Sequence, residues 1–500
     1  MNKGKVWLVG SGPGDSELLT LKAKKVIENA DVIIYDSLVG QSILSMISGD
    51  VKCIDVGKRA GNHTMHQEDI NKVILEEAMN GMKVVRLKGG DPFLFGRGGE
   101  ELELLVKEDV DFEIIPGITS AISVPAYNGI PVTHRDFNSS LHIITGHKKK
   151  DEEYDIDFKS LVNLKGTMVF LMGFSALKDI CKGLLEGGIN PDMPAAVLEK
   201  GTTSKQRRVI ATVSTIEEKA TQEKISTPAI IVIGKVCELG NEFFWYEKLP
   251  LSGCRILVTR PKELVSGLSE KLREKGAEVL EIPAIKIEKI KENEPLKIAI
   301  KNINLYDWLV FTSPSGVKVF FAEMMDEKVD IRSLAGIKIA AIGEGTKREL
   351  ISRGIFIDLM PEIYDGEELG KNLGNVCKDG DRIFIPRADI GNKKLVEEIV
   401  AKKNVTIDDI PTYLTVYENS KIIDEKKEFE SGNIDYAIFT SASTVKGFVE
   451  ITKGLDYSLV NAICIGKQTK EAAASHGMKT FVSQKATIDS LIDLAQELNK

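Results

Sequence analysis

The chain has 500 residues, 43% of them hydrophobic and 28% charged, with a formal net charge of -8. A chain of this length builds about three or four domains, each able to bury a core. The acidic balance leaves no basic footprint for nucleic acid, and no stretch reaches the length of a membrane span. The opening "MNKGKVWLVGSGPGD" has an apolar run too short for a secretory signal and no small-residue cleavage site. Six cysteines, Cys53, Cys181, Cys237, Cys254, Cys377 and Cys464, are scattered singly, so buried thiols in a cytoplasmic protein are expected. His63 and His66 lie three apart without the carboxylates or cysteines that would complete a metal set, and no metal site is expected.

From the N-terminus, "KVWLVG" reads as a strand, "ELLTLKAKKVIENA" as a helix and "DVIIYDSLV" as a second strand, and this alternation continues almost throughout. It predicts an α/β fold with largely parallel sheets. In "VGSGPGDSELLTL", Gly10, Gly12, Pro13 and Gly14 end the first strand, and Asp15 and Ser16 can cap the helix that follows. Pro13 and the GxGPGD spacing depart from the dinucleotide fingerprint, which excludes NAD. Taken alone, this loop is read equally well as a tight turn without a ligand.

Two further loops shift that balance. In "VVRLKGGDPFLFGRGGEE", residues 84–101, a strand runs into Gly89, Gly90 and Asp91, where glycine permits close approach of backbone to a ligand. In "FEIIPGITSAISVPAYNGIPVTHR" a strand ends at Pro116-Gly117 and a helix starts at Thr119-Ser120. Ligands of α/β sheets bind at such strand ends.

Near 240–254, "GNEFFWYEKLPLSGCRILVTRP" breaks the alternation and marks the main boundary. Beyond it the chain repeats itself. "DWLVFTSPSGVKVFF" at 307–321 is echoed by "DYAIFTSASTVKGFV" at 435–449, and "AAIGEGTKREL" at 340–350 by "AICIGKQTKEAA" at 462–473. Two similar α/β lobes facing each other across a cleft are expected.

Residues 1 to about 245 resemble the uroporphyrinogen-III C-methyltransferases of the tetrapyrrole methylase family through "VGSGPGD", "YDSLV", "GKRAGNHTMHQEDIN", "VVRLKGGDPFLFGRGGEE", "PGITSA", "PAYNGIPVTHR", "TGH", "FLMG", "LEKGTTSKQR" and "STPAIIVIG", in family order. The resemblance implies a two-lobed domain that binds S-adenosylmethionine between its lobes and forms a homodimer. It implies cofactor contacts at Pro13, Gly89, Gly90, Asp91, Leu94, Thr119, Ser120, Met172, Gly201 and Ala229, a proton acceptor at Asp36 and a proton donor at Lys58. A methylated pyrrole carries positive charge and must shed a proton, a task suited to a carboxylate. The acidic side chains of the macrocycle would want cations, and Lys58, Arg59, Arg97 and Arg135 are available.

Residues 254–500 resemble uroporphyrinogen-III synthase through "ILVTRP", the doubled "FTS" and "IG" turns, "FIPRADIGNKKLVEEI" and "IPTYLTVYE". After a linker at 246–253, the resemblance implies one lobe from 254–286 and 420–500 and an inserted lobe from 287–419. It makes Tyr413 the candidate to assist loss of the substrate hydroxyl. Thr312, Ser313, Ser315, Thr346, Thr440, Ser441, Ser443 and Thr469 offer hydroxyls and helix N-terminal amides to carboxylates, and Arg260, Arg387 and Lys467 could add charge. Together the halves are expected to cyclise hydroxymethylbilane and to methylate the product to precorrin-2, the entry to sirohaem and cobalamin. No dehydrogenase–ferrochelatase region follows, so the product is expected to stop there. A second half that only binds tetrapyrrole is the alternative.

Overall fold

The computed structural model describes residues 3–57, 65–146, 156–259, 266–389, 393–417 and 422–500. Within these residues the chain forms four five-stranded sheets, two in each half.

The first sheet contains β1 (Lys5–Gly10), β2 (Val32–Tyr35), β3 (Lys52–Asp55), β4 (Lys83–Lys88) and β5 (Asp111–Ile115), in the order β3-β2-β4-β1-β5. All its pairings are parallel, and helices pack against apolar clusters on both faces, so β2 and β4 read as nearly continuous buried runs. The order makes β4, β1 and β5 neighbours. The three glycine-bearing loops, far apart in sequence, therefore leave the sheet side by side at its carboxyl edge. One detail differs from expectation. Asp15 caps only the single 3-10 turn Ser16–Leu18, and the hydroxyl of Thr20 caps the helix Leu21–Glu28 by accepting from the Ala23 amide at 3.2 Å.

The second sheet contains β6 (Leu141–Thr145), β7 (Thr167–Leu171), β8 (Pro194–Glu199), β9 (Arg207–Thr212) and β10 (Ala229–Ile233), in the order β6-β7-β10-β8-β9. It departs from the parallel expectation. Only β6 and β7 run parallel, whereas β10 is antiparallel to both neighbours and β8–β9 is a hairpin. The short connection through 200–206 permits only the antiparallel return, since a parallel one needs a crossover of a dozen or more residues.

In the second half, β11 (Arg255–Val258), β12 (Glu278–Glu281), β18 (Tyr436–Phe439), β19 (Asn461–Cys464) and β20 (Lys479–Val482) form a fully parallel sheet in the order β12-β11-β18-β19-β20. The other sheet holds β13 (Ile285–Lys289), β14 (Trp308–Phe311), β15 (Lys338–Ala341), β16 (Arg382–Ala388) and β17 (Thr406–Tyr417), in the order β13-β17-β16-β14-β15. Here β13 is antiparallel to β17 and the other pairings are parallel. The chain crosses between these sheets before Ile285, and each sheet has its own cores.

The aromatic segment between the halves is packed. Trp245 Nε1 donates to the Ala126 carbonyl at 3.0 Å, and the Tyr127 ring lies 5.1 Å from both Trp245 and Tyr246. Such ring pairs each add about 0.5–1.5 kcal/mol beyond area burial. None of the six cysteines is joined in a disulfide; five are buried and Cys53 is half-buried. Among the described residues no helix is long and apolar enough to cross a membrane, and no group of acidic, cysteine or histidine side chains could hold a metal.

Candidate functional site

The carboxyl edge of the first sheet carries the densest cluster of expected residues. The glycines there do more for the protein than for a ligand. A Cβ on Gly117 would stand 2.2 Å from the Gly90 carbonyl oxygen, one on Gly10 2.5 Å from the Gly117 nitrogen, and one on Gly89 2.7 Å from Leu38 Cβ. Gly12 and Gly90 exchange backbone hydrogen bonds at 3.1 and 2.7 Å. These loops meet backbone to backbone, which corrects the reading that close approach serves the ligand throughout. Gly90 is the exception: its φ is +66° and a Cβ there would meet only the Ser120 nitrogen, 4.0 Å away.

Asp91 is also occupied by the protein. Oδ1 accepts from the Phe93 amide at 2.8 Å and Oδ2 from the Gly117 amide at 3.0 Å, so the carboxylate ties the second loop to the third. Thr119 caps the helix Ser120–Tyr127, its hydroxyl accepting from Ala121 N. Pro13 is half-buried in the first loop, and Leu94 packs against an apolar cluster of the second sheet.

From the second sheet, Met172 follows β7 with φ +55° and is 51% exposed, a costly conformation and environment for methionine. Gly201 follows β8 where a Cβ would stand 2.3 Å from Val124 Cγ1 of the helix Ser120–Tyr127, which packs on this second sheet. Ala229 opens β10 and is buried. The loop of Gly201 touches the first glycine loop, as Thr202 Oγ1 accepts from the Asp15 amide at 3.2 Å.

Asp36 directly follows β2 at the same edge, partly exposed. Its Oδ1 accepts from the Leu38 amide at 3.1 Å and its Oδ2 from Arg86 Nη2 at 3.2 Å. Behind it lies a network that sequence reading missed. Arg86 Nε donates to Glu101 Oε1 at 3.1 Å, and Lys88 Nζ and Gln67 Nε2 donate to the same oxygen at 2.6 and 3.2 Å. Arg86, Lys88 and Glu101 are buried, and Glu101 Oε2 has no partner among the described residues. Burial, and then the Arg86 charge, lower the Lys88 ammonium from its ordinary value, while Glu101 opposes the shift. A signal was available: in "VVRLK" two cations at alternate positions share one face of a strand that is otherwise apolar.

Lys58 and Arg59 lie outside the described residues. Arg97 is exposed at the start of the helix Gly98–Lys107 and is held by Glu100, Nε donating at 2.9 Å; that hydrogen bond raises its guanidinium further. Arg135 is exposed.

In the second half, Ser313 and Ser441 occupy equivalent N-caps, of the helices Pro314–Asp326 and Ala442–Ile451, and accept from the Gly316 and Thr444 amides. The structure joins Tyr413 to the first of them, with Tyr413 Oη 2.8 Å from Ser313 Oγ. Tyr413 is 5% exposed, and burial pushes its phenol above the ordinary value, partly offset by the Ser313 hydrogen bond. Thr312 and Thr440 immediately precede these caps and are half-buried, whereas Thr346 and Thr469 are buried within the first turns of Glu344–Ile351 and Lys467–Ala474. Arg387 is buried and forks onto Asp409, Nε donating at 2.6 Å. Its charge is thus already engaged within the sheet. Arg260 lies outside the described residues.

Comparison with known proteins accounts for both halves. Residues 5–217 match the family model of the tetrapyrrole (corrin/porphyrin) methylases, and residues 266–493 that of uroporphyrinogen-III synthase HemD. Over 498 residues the chain is 45% identical to the porphyrin biosynthesis protein HemD of Ruminiclostridium josui, covering 100% of this chain and 99% of that one. It is 52% identical over 239 residues to an S-adenosyl-L-methionine-dependent uroporphyrinogen III methyltransferase of Methanosarcina barkeri, covering 48% of this chain and 94% of the relative. The crystal structure of uroporphyrin-III C-methyl transferase from Thermus thermophilus complexed with S-adenyl homocysteine aligns at 36% identity with a TM-score of 0.41, over 47% of this chain and 100% of that one.

Proposed function

The chain belongs to the family that joins a tetrapyrrole methylase to a uroporphyrinogen-III synthase, and on that premise we propose that it performs two consecutive steps of tetrapyrrole biosynthesis. The second half closes hydroxymethylbilane to uroporphyrinogen III with inversion of the last ring. The first half then methylates that product on rings A and B to give precorrin-2. The observation that carries this reading is that both family matches lie end to end in one chain.

S-adenosylmethionine is the methyl donor of the first half, as for its methanogen relative. The residues present fit it. Gly90, with φ +66° and open space where a Cβ would point, leaves a bare stretch of backbone between the first and third loops, and exposed Met172 stands at the edge of the second sheet. When bound, the cofactor supplies an electrophilic methyl group. The loops of Pro13, Gly90 and Thr119 from one lobe, and those of Met172 and Gly201 from the other, hold and orient it, and alignment supplies most of the rate for such a transfer.

Asp36 accepts the proton that the methylated ring sheds, and Arg86 holds its Oδ2 for that purpose. Lys58 is the partner donor. Arg59, Arg97 and Arg135 meet substrate carboxylates. In the second half, Tyr413 gives its phenolic proton to the departing hydroxyl as water leaves, with Ser313 orienting it. The amides behind Thr312–Ser313 and Thr440–Ser441 meet substrate carboxylates at two helix N-termini. Thr346, Thr469 and Arg387 support this edge from within. The methylase half pairs two copies of the chain, which sizing of the purified protein would check.

The test is anaerobic incubation of the full chain with hydroxymethylbilane and S-adenosylmethionine, with isomer and mass analysis. Dimethylated type III product is expected. Type I product without inversion would remove the synthase assignment.

A further inference from the structure

The cofactor site of the first half is built from two lobes, and a charged pair from the other half of the chain touches both. Arg255 and Glu278 are register partners on adjacent parallel strands β11 and β12, joined by Arg255 Nη2 donating to Glu278 Oε1 at 2.7 Å. Their side chains are 12% and 9% exposed. Glu278 Oε2 turns outward from this pair and accepts from both the amide and the hydroxyl of Ser204, at 2.9 and 2.7 Å. Ser204 belongs to the β8–β9 connection that carries Gly201. Arg255 Nη1 reaches the opposite lobe, donating to Gln41 Oε1 at 3.0 Å and to Glu428 Oε2 at 3.3 Å, while Gln41 Nε2 donates to Glu428 Oε1 at 3.0 Å. Gln41 begins the helix Gln41–Leu44, five residues after Asp36.

Neighbouring contacts run the same way. The Glu281 amide donates to Ser45 Oγ at 3.1 Å, Ser45 Oγ donates to the Ser42 carbonyl at 2.8 Å, and Ser42 Oγ donates to the Gly14 carbonyl at 2.9 Å, which leads from β12 to the first glycine loop. On the other side Lys205 Nζ donates to Asn433 Oδ1.

We propose that the Arg255–Glu278 pair of the synthase half positions the cofactor site of the methylase half, by pinning the Ser204 loop of one methylase lobe and the Gln41 segment of the other across the cleft. The geometry favours this over incidental docking. One preorganised ion pair, set by strand register, ends on both lobes, and both of its ends lie within a few residues of expected site residues, Gly201 and Asp36. Hydrogen bonds to a buried charge are the strong kind, and they are fixed before the cofactor arrives. In the intact chain the cofactor therefore binds lobes already held at their working separation, an advantage of preorganisation. Glu278 and Arg255 are positioning residues that act through Ser204 and Gln41.

This inference rests on the assignment of the interlobe cleft to S-adenosylmethionine. The test uses the full chain, with S-adenosylhomocysteine as the calorimetric probe and synthase turnover of the same preparation as the control. Glu278→Ala is expected to weaken S-adenosylhomocysteine binding about tenfold, the effect of losing one charged hydrogen-bonded contact. The KM for S-adenosylmethionine should rise in parallel, with kcat for methylation and synthase turnover each within about twofold. Ser204→Ala should reproduce part of the loss, and adding it to Glu278→Ala should cost little more, because both remove the same contact. Unchanged affinity in Glu278→Ala with synthase turnover intact overturns the proposal while leaving the cofactor assignment standing. Absence of S-adenosylhomocysteine binding by the native chain overturns the assignment and the proposal together. Should Glu278→Ala also lose synthase turnover, Ser204→Ala and Gln41→Ala decide, since both lie in the other half: native affinity in both overturns the proposal.

Discussion

Arg86 holds Asp36 from behind: its Nη2 donates to Asp36 Oδ2 at 3.2 Å while its Nε donates to buried Glu101 at 3.1 Å. The proposed proton acceptor is thereby aimed from a rigid strand as well as by the Leu38 amide of its own loop. Asp36→Asn preserves size and most hydrogen bonding but removes the basic oxygen. Methylation should fall by about 10²–10⁴, the usual worth of a positioned acid or base. S-adenosylhomocysteine affinity, read by calorimetry, should stay near that of the native chain.

Glu101 is the anion that makes Arg86 and Lys88 tolerable inside the sheet. Replacing it by alanine leaves two buried cations facing each other. Breaking such a pair by removing one partner costs about 3–5 kcal/mol. The first unfolding transition of Glu101→Ala in urea should move by that amount, with synthase turnover preserved at concentrations below the transition.

Gly90 stands in the left-handed region with open space ahead of it. Gly90→Val adds a β-branched side chain where φ is +66°, which costs on the order of 1–3 kcal/mol of backbone strain and fills the bare backbone the cofactor needs. S-adenosylhomocysteine binding should disappear while uroporphyrinogen III still forms from hydroxymethylbilane. Native affinity in this variant would remove Gly90 from the cofactor site.

Tyr413 has its phenol raised above the ordinary value by burial, with Ser313 pulling the other way. The sign places the proton on the oxygen across the neutral and mildly alkaline range, so Tyr413 should not impose an alkaline limb on synthase activity below about pH 10. Tyr413→Phe should lower kcat and leave the shape of the pH profile unchanged. A limb near neutrality that vanishes in Tyr413→Phe would contradict this.

Glu113, in the middle of the edge strand β5, is held down to about 2 by hydrogen bonds from Lys22 and Lys5. Its folded value lies below its unfolded one, so its contribution to stability is present above the unfolded value and is lost as pH falls toward 2. The Trp7 indole also donates to Glu113, at 3.1 Å. Glu113→Gln should flatten the acid dependence of stability across that window, with tryptophan fluorescence as the readout.

How much of this was legible in sequence depends on how local each cause is. The alternation of apolar runs with amphipathic helices determined the α/β class, and the doubled "FTS" and "IG" turns determined the repeat, because strand periodicity and helix capping act within a few residues. Ser313 and Ser441 cap their helices as that pattern implies. The glycine loops were visible too, but their meaning was not. Only the strand order β3-β2-β4-β1-β5 places loops from β1, β4 and β5 together, and there Gly10, Gly89 and Gly117 make room for backbone, with Gly90 alone left open. The mixed second sheet likewise followed from a hairpin that apolar runs do not announce. Arg86, Glu101 and Lys88 come from a strand and a helix, and Arg255, Glu278, Ser204 and Gln41 from four separate segments. Burial removes water as a competing partner, so charges distant in sequence must satisfy one another in the fold, and that pairing is a property of the tertiary structure.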